Sequence, residues 1–154
     1  MVERKAIVQS GVIMRLRNLP TRLAAGAYIA HSGIEKLGGG PEQAAGIHGA
    51  ATTAYPFLKG IESTRFLRML SIAEMTTGTL LLAPVTPPLV AGAALTGFSG
   101  ALVTMYLRTP GMHKPGSIWP TPQGMALSKD VWMLGIGVGL VLDGLRDRHA
   151  HTTD

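Results

Sequence analysis

The chain contains no cysteine among its 154 residues. It therefore has no disulfide, no thiolate metal ligand and no thiol redox chemistry of its own. Charged residues are also scarce: they make up 15% of this chain, whereas an average soluble domain carries about 25%. Together with a hydrophobic content of 46%, this shortage of charge indicates contact with lipid.

Aromatic residues make up only 5% of the chain, and few lie among the basic residues that produce its net charge of +5. Because no nucleic-acid-binding motif is present either, we expect no nucleic acid partner. Glycine and proline, by contrast, are abundant, with 20 and 10 copies. Both are more frequent in membrane helices than in soluble ones.

Four apolar segments predict four transmembrane helices. The third is the clearest, because LVAGAALTGFSGALVTMYL carries no charge, and a core helix of a small soluble domain is rarely apolar on every side. The expected fold is all-α, an integral membrane four-helix bundle over residues 19–145. Its spans are residues 19–37, 66–83, 89–107 and 126–145.

The other segments are polar or irregular. Segment 41–54 begins with proline and glutamate, as helices often do, but is too short and polar to cross a membrane. We predict that it forms a short interfacial helix between spans one and two. Segment 108–125 is rich in proline and is expected to be an irregular loop. Residues 1–18 form either a basic amphipathic segment on an anionic leaflet or an unstructured tail, and residues 146–154 form a polar tail.

Four spans place both termini on the same side of the membrane. Basic residues are divided evenly between the two sides, but those that flank the first span usually dominate. We therefore expect a multi-pass plasma membrane protein with both termini in the cytoplasm.

Several ionisable residues lie within the apolar spans or at their ends, where a charge costs roughly 2.5–3.5 kcal/mol. Antiparallel spans bring these residues to one side of the bilayer, so we interpret them as a candidate ligand-binding site. They are His31, Glu35, Lys36, Glu74, Lys129 and Asp130.

Glu74 lies deepest in this group. It is either a proton carrier, a ligand for the polar head of a lipid, quinone or other small molecule, or a structural carboxylate. In the structural case its charge is neutralised by Arg68, Lys36, His31 or Lys129.

His31 either relays protons, faces a quinone carbonyl or forms a hydrogen bond between helices. It shares a helical face with Glu35, but two candidate ligands are too few for a metal site, so we expect none. Lys129 can extend towards the membrane surface, and Asp130 suits a helix N-terminus for electrostatic reasons alone.

Small residues recur every four positions on the last two spans, which is typical of faces where helices pack closely. These faces indicate a tight bundle or a homo-oligomer. They comprise Ala93, Gly97 and Ala101 on span three, and Gly135 and Gly139 on span four.

The chain resembles the DoxX family of small four-helix bacterial membrane proteins, and in particular its actinobacterial members. The resemblance covers residues 19–145. It rests on Arg22, Gly33 and Lys36 in span one, on Glu74 in AEMTTGTLLL, and on GSIWPTPQGMALSKDVWMLGIGVGLVLDGL. The family takes its name from a small subunit of a thiosulfate:quinone oxidoreductase, and some members are linked to a membrane complex that handles thiol and oxidative stress. The resemblance implies no catalytic residue.

Three functions remain open. The first is an accessory or anchoring subunit of a membrane oxidoreductase, without catalytic activity of its own. The second is a redox subunit that binds a quinone or another small molecule around Glu74. The third is a proton-coupled transporter, although four spans without inverted repeats lack the usual architecture. We expect no intrinsic cofactor other than a quinone, and the lipid bilayer, an oxidoreductase and a second copy as partners.

Overall fold

The computed structural model describes the backbone of residues 16–151 and the side chains of residues 16–146. The fold is all-α, as predicted. Its helices are α1 (Leu19–Leu37), α2 (Pro41–Ala54), α3 (Ser63–Leu82), α4 (Pro88–Arg108) and α5 (Asp130–His151), with shorter helical turns at Leu16–Asn18, Pro56–Gly60 and Met125–Ser128. The predicted amphipathic segment 1–18 lies outside the described residues, except for its last turn.

Local signals account for most of the helix ends. α1 has the predicted bounds, and α2 begins at Pro41, as predicted. α3 begins earlier than predicted, because the carboxylate of Glu62 accepts hydrogen bonds from the backbone N–H groups of Thr64 at 3.0 Å and Arg65 at 2.9 Å. These bonds satisfy N–H groups that the first helical turn leaves free. α5 continues past the predicted limit at residue 145.

α1 and α3 form an antiparallel pair that packs closely at glycines. A Cβ atom at Gly78 would lie 2.7 Å from the backbone nitrogen of Ala30, and one at Gly33 would lie 2.9 Å from the carbonyl oxygen of Ser71. The Ser71 hydroxyl also donates a hydrogen bond to the carbonyl of Gly33 at 2.6 Å. Larger side chains at these glycines would force the two helices apart.

α4 and α5 form a second antiparallel pair, but their contacts differ from the predicted ones. A Cβ atom at Gly92 or Gly137 would lie 2.6 Å from an atom of the partner helix, whereas one at Gly97, Gly135 or Gly139 would meet nothing within 4 Å. The predicted small-residue faces therefore do not form the contact within the chain. Neighbouring glycines two positions apart lie on nearly opposite sides of a helix, so spacing alone does not show which side packs.

The two pairs join at α3 and α4, which pack together, while α1 and α5 make no extensive contact. One end of the bundle contains the starts of α1 and α4 and the ends of α3 and α5. We call it the Arg22 end. The opposite end, which also carries α2 and the loop from 109 to 124, is the Glu74 end.

Two helical segments in the described part of the chain are long and apolar enough to cross a membrane. They are Pro88–Arg108 and Met125–Arg146, each with a mean hydropathy of 1.5. Only 28% of the first and 11% of the second is buried within the protein, unlike a core helix of a soluble protein. The charged helices α1 and α3 are not among these segments. Two helices of sufficient length and apolarity support membrane association only weakly.

Candidate functional site

A cavity of about 780 Å³ lies at the Glu74 end, with walls from α1, α2, α3, α4 and the start of α5. Apolar side chains form most of its surface, including Ile29, Leu70, Phe98, Leu102 and Met133. Small-molecule sites are typically apolar clefts of roughly 300–1,000 Å³ with a few polar groups. The cavity has the size and the lining of such a site.

An ion pair lies in this cavity. The ammonium of Lys36 lies 2.9 Å from Oε2 of Glu74, and the two side chains are only 17% and 8% exposed. Lys36 also donates a hydrogen bond to the hydroxyl of Ser32 at 2.6 Å, since residues four apart share a helical face. Of the four partners considered for Glu74, Lys36 is the one that it contacts.

Asp130 lies in the same cavity, in the first turn of α5. It lines the cavity together with Glu74, and like charges in one apolar cavity repel each other. Among the described residues, no side chain or backbone group donates a hydrogen bond to it. The cavity therefore contains one ammonium group and two carboxyl groups, one of which has no partner within the described chain.

The other predicted site residues lie elsewhere. Nε2 of His31 lies 3.5 Å from Oε1 of Glu35, and these side chains are 71% and 68% exposed on the outer face of α1. Lys129 is exposed just before α5. None of the three lines the cavity. The structure thus unites Lys36, Glu74 and Asp130 and separates them from the rest.

α2 forms one wall of the cavity, through residues that include Gly46 and Ile47. The turn that follows it is attached to α4, because the Tyr55 hydroxyl donates a hydrogen bond to the carbonyl of Ala101 at 2.8 Å. Sequence reasoning placed α2 at the membrane interface and did not assign these residues to a site. Small and apolar residues on a helix give the same pattern whether they pack on protein or line a cavity.

A second buried cation lies at the opposite end of the bundle. Arg22 is fully buried, and its guanidinium donates hydrogen bonds to the carbonyls of Leu80, Leu81, Ala83 and Thr86 at 2.8–3.0 Å. The end of a helix leaves such carbonyls without partners and favours positive charge. The sequence placed Arg22 at the start of span one, where it was counted only among the basic residues of the cytoplasmic side, so this role was missed.

The Arg22 end also links the first and last helices. The amide of Asn18 donates a hydrogen bond to Oδ2 of Asp143 at 2.7 Å, and Arg17 forms an ion pair with the same carboxylate. This link brings the start of α1 to α5. No corresponding extensive contact joins α1 and α5 along the rest of their length.

No protein-family model, curated protein or solved structure matches this chain. Within residues 16–146, no group of three or more histidine or acidic side chains is placed to hold a metal ion. The site instead combines an apolar cavity, a buried ion pair and an additional carboxyl group. That combination suits the binding of an amphipathic molecule, with its apolar part in the cavity and its polar part at the charges.

Proposed function

We propose that this protein is a four-helix membrane bundle that binds an amphipathic small molecule in the cavity at its Glu74 end. The observation that carries the proposal is the apolar cavity of about 780 Å³ with the Lys36–Glu74 ion pair in its wall. Buried polar groups of this kind fix the orientation of a ligand, while the apolar walls supply most of the contact.

The arrangement of the helices suggests that the ligand comes from the bilayer. α1 and α5 both contribute to the cavity but do not pack extensively against each other. Tyr28, on the cavity side of α1, is 71% exposed, so it lies at a rim and not in a closed core. In this proposal a gap on this side admits molecules dissolved in lipid, such as a quinone or its reduced form, a quinol.

In this proposal α1 and α3 cross the membrane together with α4 and α5. Arg22 and the Lys36–Glu74 pair are compatible with this because they are buried and bonded within the protein. The exposed Glu35 and Arg68 lie in the last turn of α1 and the second turn of α3, close to the membrane surface at the Glu74 end. Both termini lie in the cytoplasm of a bacterial cell, which places the Glu74 end at the outer side of the plasma membrane.

Two glycines of α2 provide a matched test. A Cβ atom at Gly46 or at Gly49 would meet nothing within 4 Å, but only Gly46 lines the cavity. We expect Gly46→Phe to weaken binding of a benzoquinol with a ten-carbon tail, the reduced form whose hydroxyls donate hydrogen bonds, by about tenfold or more, and Gly49→Phe to leave it unchanged. Binding is measured on purified protein in lipid nanodiscs. Equal binding by both variants and the unaltered protein would show that the probe does not use this cavity.

A second proposal is an accessory role beside a membrane oxidoreductase, as the resemblance to DoxX implies. It is favoured by the open space at Gly97, Gly135 and Gly139, where a partner helix can approach closely. We expect Gly139→Leu to remove a protein that co-purifies in mild detergent, without loss of thermal stability. Retention of every co-purifying protein in all three glycine-to-leucine variants would argue against this role.

A further inference from the structure

The hydrogen-bonding capacity of Lys36 is already used within the protein. An ammonium group has three N–H donors. Nζ of Lys36 has three acceptors, namely Oε2 of Glu74 at 2.9 Å, the hydroxyl of Ser32 at 2.6 Å and the carbonyl of Ser32 at 3.5 Å. A ligand that needs a hydrogen-bond donor, such as a carboxylate, would have to replace one of these bonds.

The charged groups that remain free in the cavity are acceptors. Oε1 of Glu74 has no donor among the described residues, and neither carboxyl oxygen of Asp130 has one. Lys36 is the single cation among the described residues that line the cavity. With all three groups ionised, their formal charges sum to −1.

Apolar walls strengthen this imbalance, because electrostatic interactions are larger where water is excluded. The hydroxyl of Tyr55 does not compensate, since it donates to the carbonyl of Ala101. The lining has two further hydroxyls: that of Tyr28 lies at the exposed rim, and that of Ser32 accepts a hydrogen bond from Lys36 and carries no charge.

We propose that the cavity selects amphiphiles by their head group: it favours a head that donates hydrogen bonds or carries positive charge, such as an amine, and disfavours an anionic head. This inference rests on the proposed function and adds the class of ligand. An apolar tail occupies the space between residues such as Ile29 and Phe98, while the head lies between Glu74 and Asp130.

Three probes with the same chain test this selection: dodecylamine, dodecanol and dodecanoate. Each is titrated against the bound benzoquinol probe on the full chain in nanodiscs of uncharged lipid, with empty nanodiscs as the correction for partitioning. We expect the amine to displace the probe at concentrations about tenfold or more below those of the carboxylate, with the alcohol between them. Equal displacement by the amine and the carboxylate would overturn the inference and leave the proposed function standing.

Variants locate the effect. Asp130→Asn should reduce the preference for the amine over the alcohol at least severalfold, while Glu35→Gln, which removes an exposed carboxylate outside the cavity, should not change it. An unchanged preference in folded Asp130→Asn would overturn the assignment to this residue. If Asp130→Asn does not fold, the inference is still tested, because the amine and the carboxylate are compared on the unaltered protein. If no probe binds the cavity, the proposed function itself fails.

Discussion

The two ends of the bundle each bury a cation, but they use it differently. At the Arg22 end, four carbonyl groups surround one guanidinium, and the chain itself occupies the space around it. At the Glu74 end, Lys36 pairs with one carboxylate beside a large cavity, and a second carboxyl group, that of Asp130, has no donor within the described part of the chain. Arg22 therefore stabilises the fold, whereas the charges at the Glu74 end can also contact a ligand.

The type of partner explains this difference. Backbone carbonyls at the end of α3 need donors in every state of the protein, so Arg22 is required for the helix to end inside the bundle. A carboxylate such as Glu74 needs one counterion, and its second oxygen remains available. Among the described residues, the Glu74 end therefore has free hydrogen-bonding capacity, whereas the guanidinium of Arg22 uses four of its five N–H donors.

The largest effect is expected from Arg22→Leu. It leaves four carbonyls without their donor, and each buried group without a partner costs about 1–3 kcal/mol, so the free energy of unfolding should fall by roughly 4 kcal/mol or more. Unfolding by denaturant in mild detergent measures this, with the exposed Arg68→Leu as the control. A loss no larger than that of the control would mean that water reaches these carbonyls, and the contrast between the two ends would disappear.

Lys36→Met should have the next largest effect. Removing one partner of a buried pair typically costs about 3–5 kcal/mol, but water in the cavity reduces this to roughly 2–3 kcal/mol. The double variant Lys36→Met with Glu74→Gln should recover a large part of the loss, because it removes the uncompensated charge. If the double variant is no more stable than Lys36→Met, then Lys36 acts through packing and not through charge.

Asp143→Ala tests the link between α1 and α5 at the Arg22 end. Because Arg17 is 53% exposed, much of its ion pair is screened by solvent, and we expect a loss of only about 1 kcal/mol. Distances between spin labels on the two helices should increase at the Arg22 end. Unchanged distances would show that contacts other than this carboxylate hold the helices together there.

The smallest effect concerns the exposed Glu62 at the start of α3. Hydrogen bonds from the side chain and backbone of Thr64, and from the backbone of Arg65, lower its pKa from 4.5 to about 2. Because the folded pKa is the lower one, the stabilisation is complete above pH 4.5 and is lost as the pH falls towards 2. The melting temperature of Glu62→Gln should therefore lie slightly below that of the unaltered protein at neutral pH and approach it on acidification. A constant difference across this range would mean that the charge of Glu62 does not contribute.

Helix positions were largely predictable, because their signals are local. Proline at 41 and in the turn between α3 and α4 restricts the backbone angles and so sets helix ends there. The glycine run after residue 37 ends α1 because glycine loses the most backbone freedom in a helix. Where a boundary moved, as at the start of α3, a side-chain cap by glutamate was responsible. That residue type is not among the usual N-caps.

The site was only partly predictable. Ionisable residues in or beside apolar spans correctly predicted Lys36, Glu74 and Asp130 as site residues. The same criterion also selected His31, Glu35 and Lys129, which the structure places outside the cavity. Whether an ionisable residue on a helix faces inward depends on the rotation of that helix against its neighbours.

The sequence by itself determined an all-α chain, the approximate helix limits and the scarcity of charge, because these follow from composition and from neighbours along the chain. Only the tertiary structure decided that Lys36 is the partner of Glu74, that Arg22 is buried against carbonyls, and that a cavity remains between the two helix pairs. Those outcomes depend on helix register, helix rotation and close approach at glycine. These features bring together residues that are distant in the chain, so no short stretch of sequence predicts them.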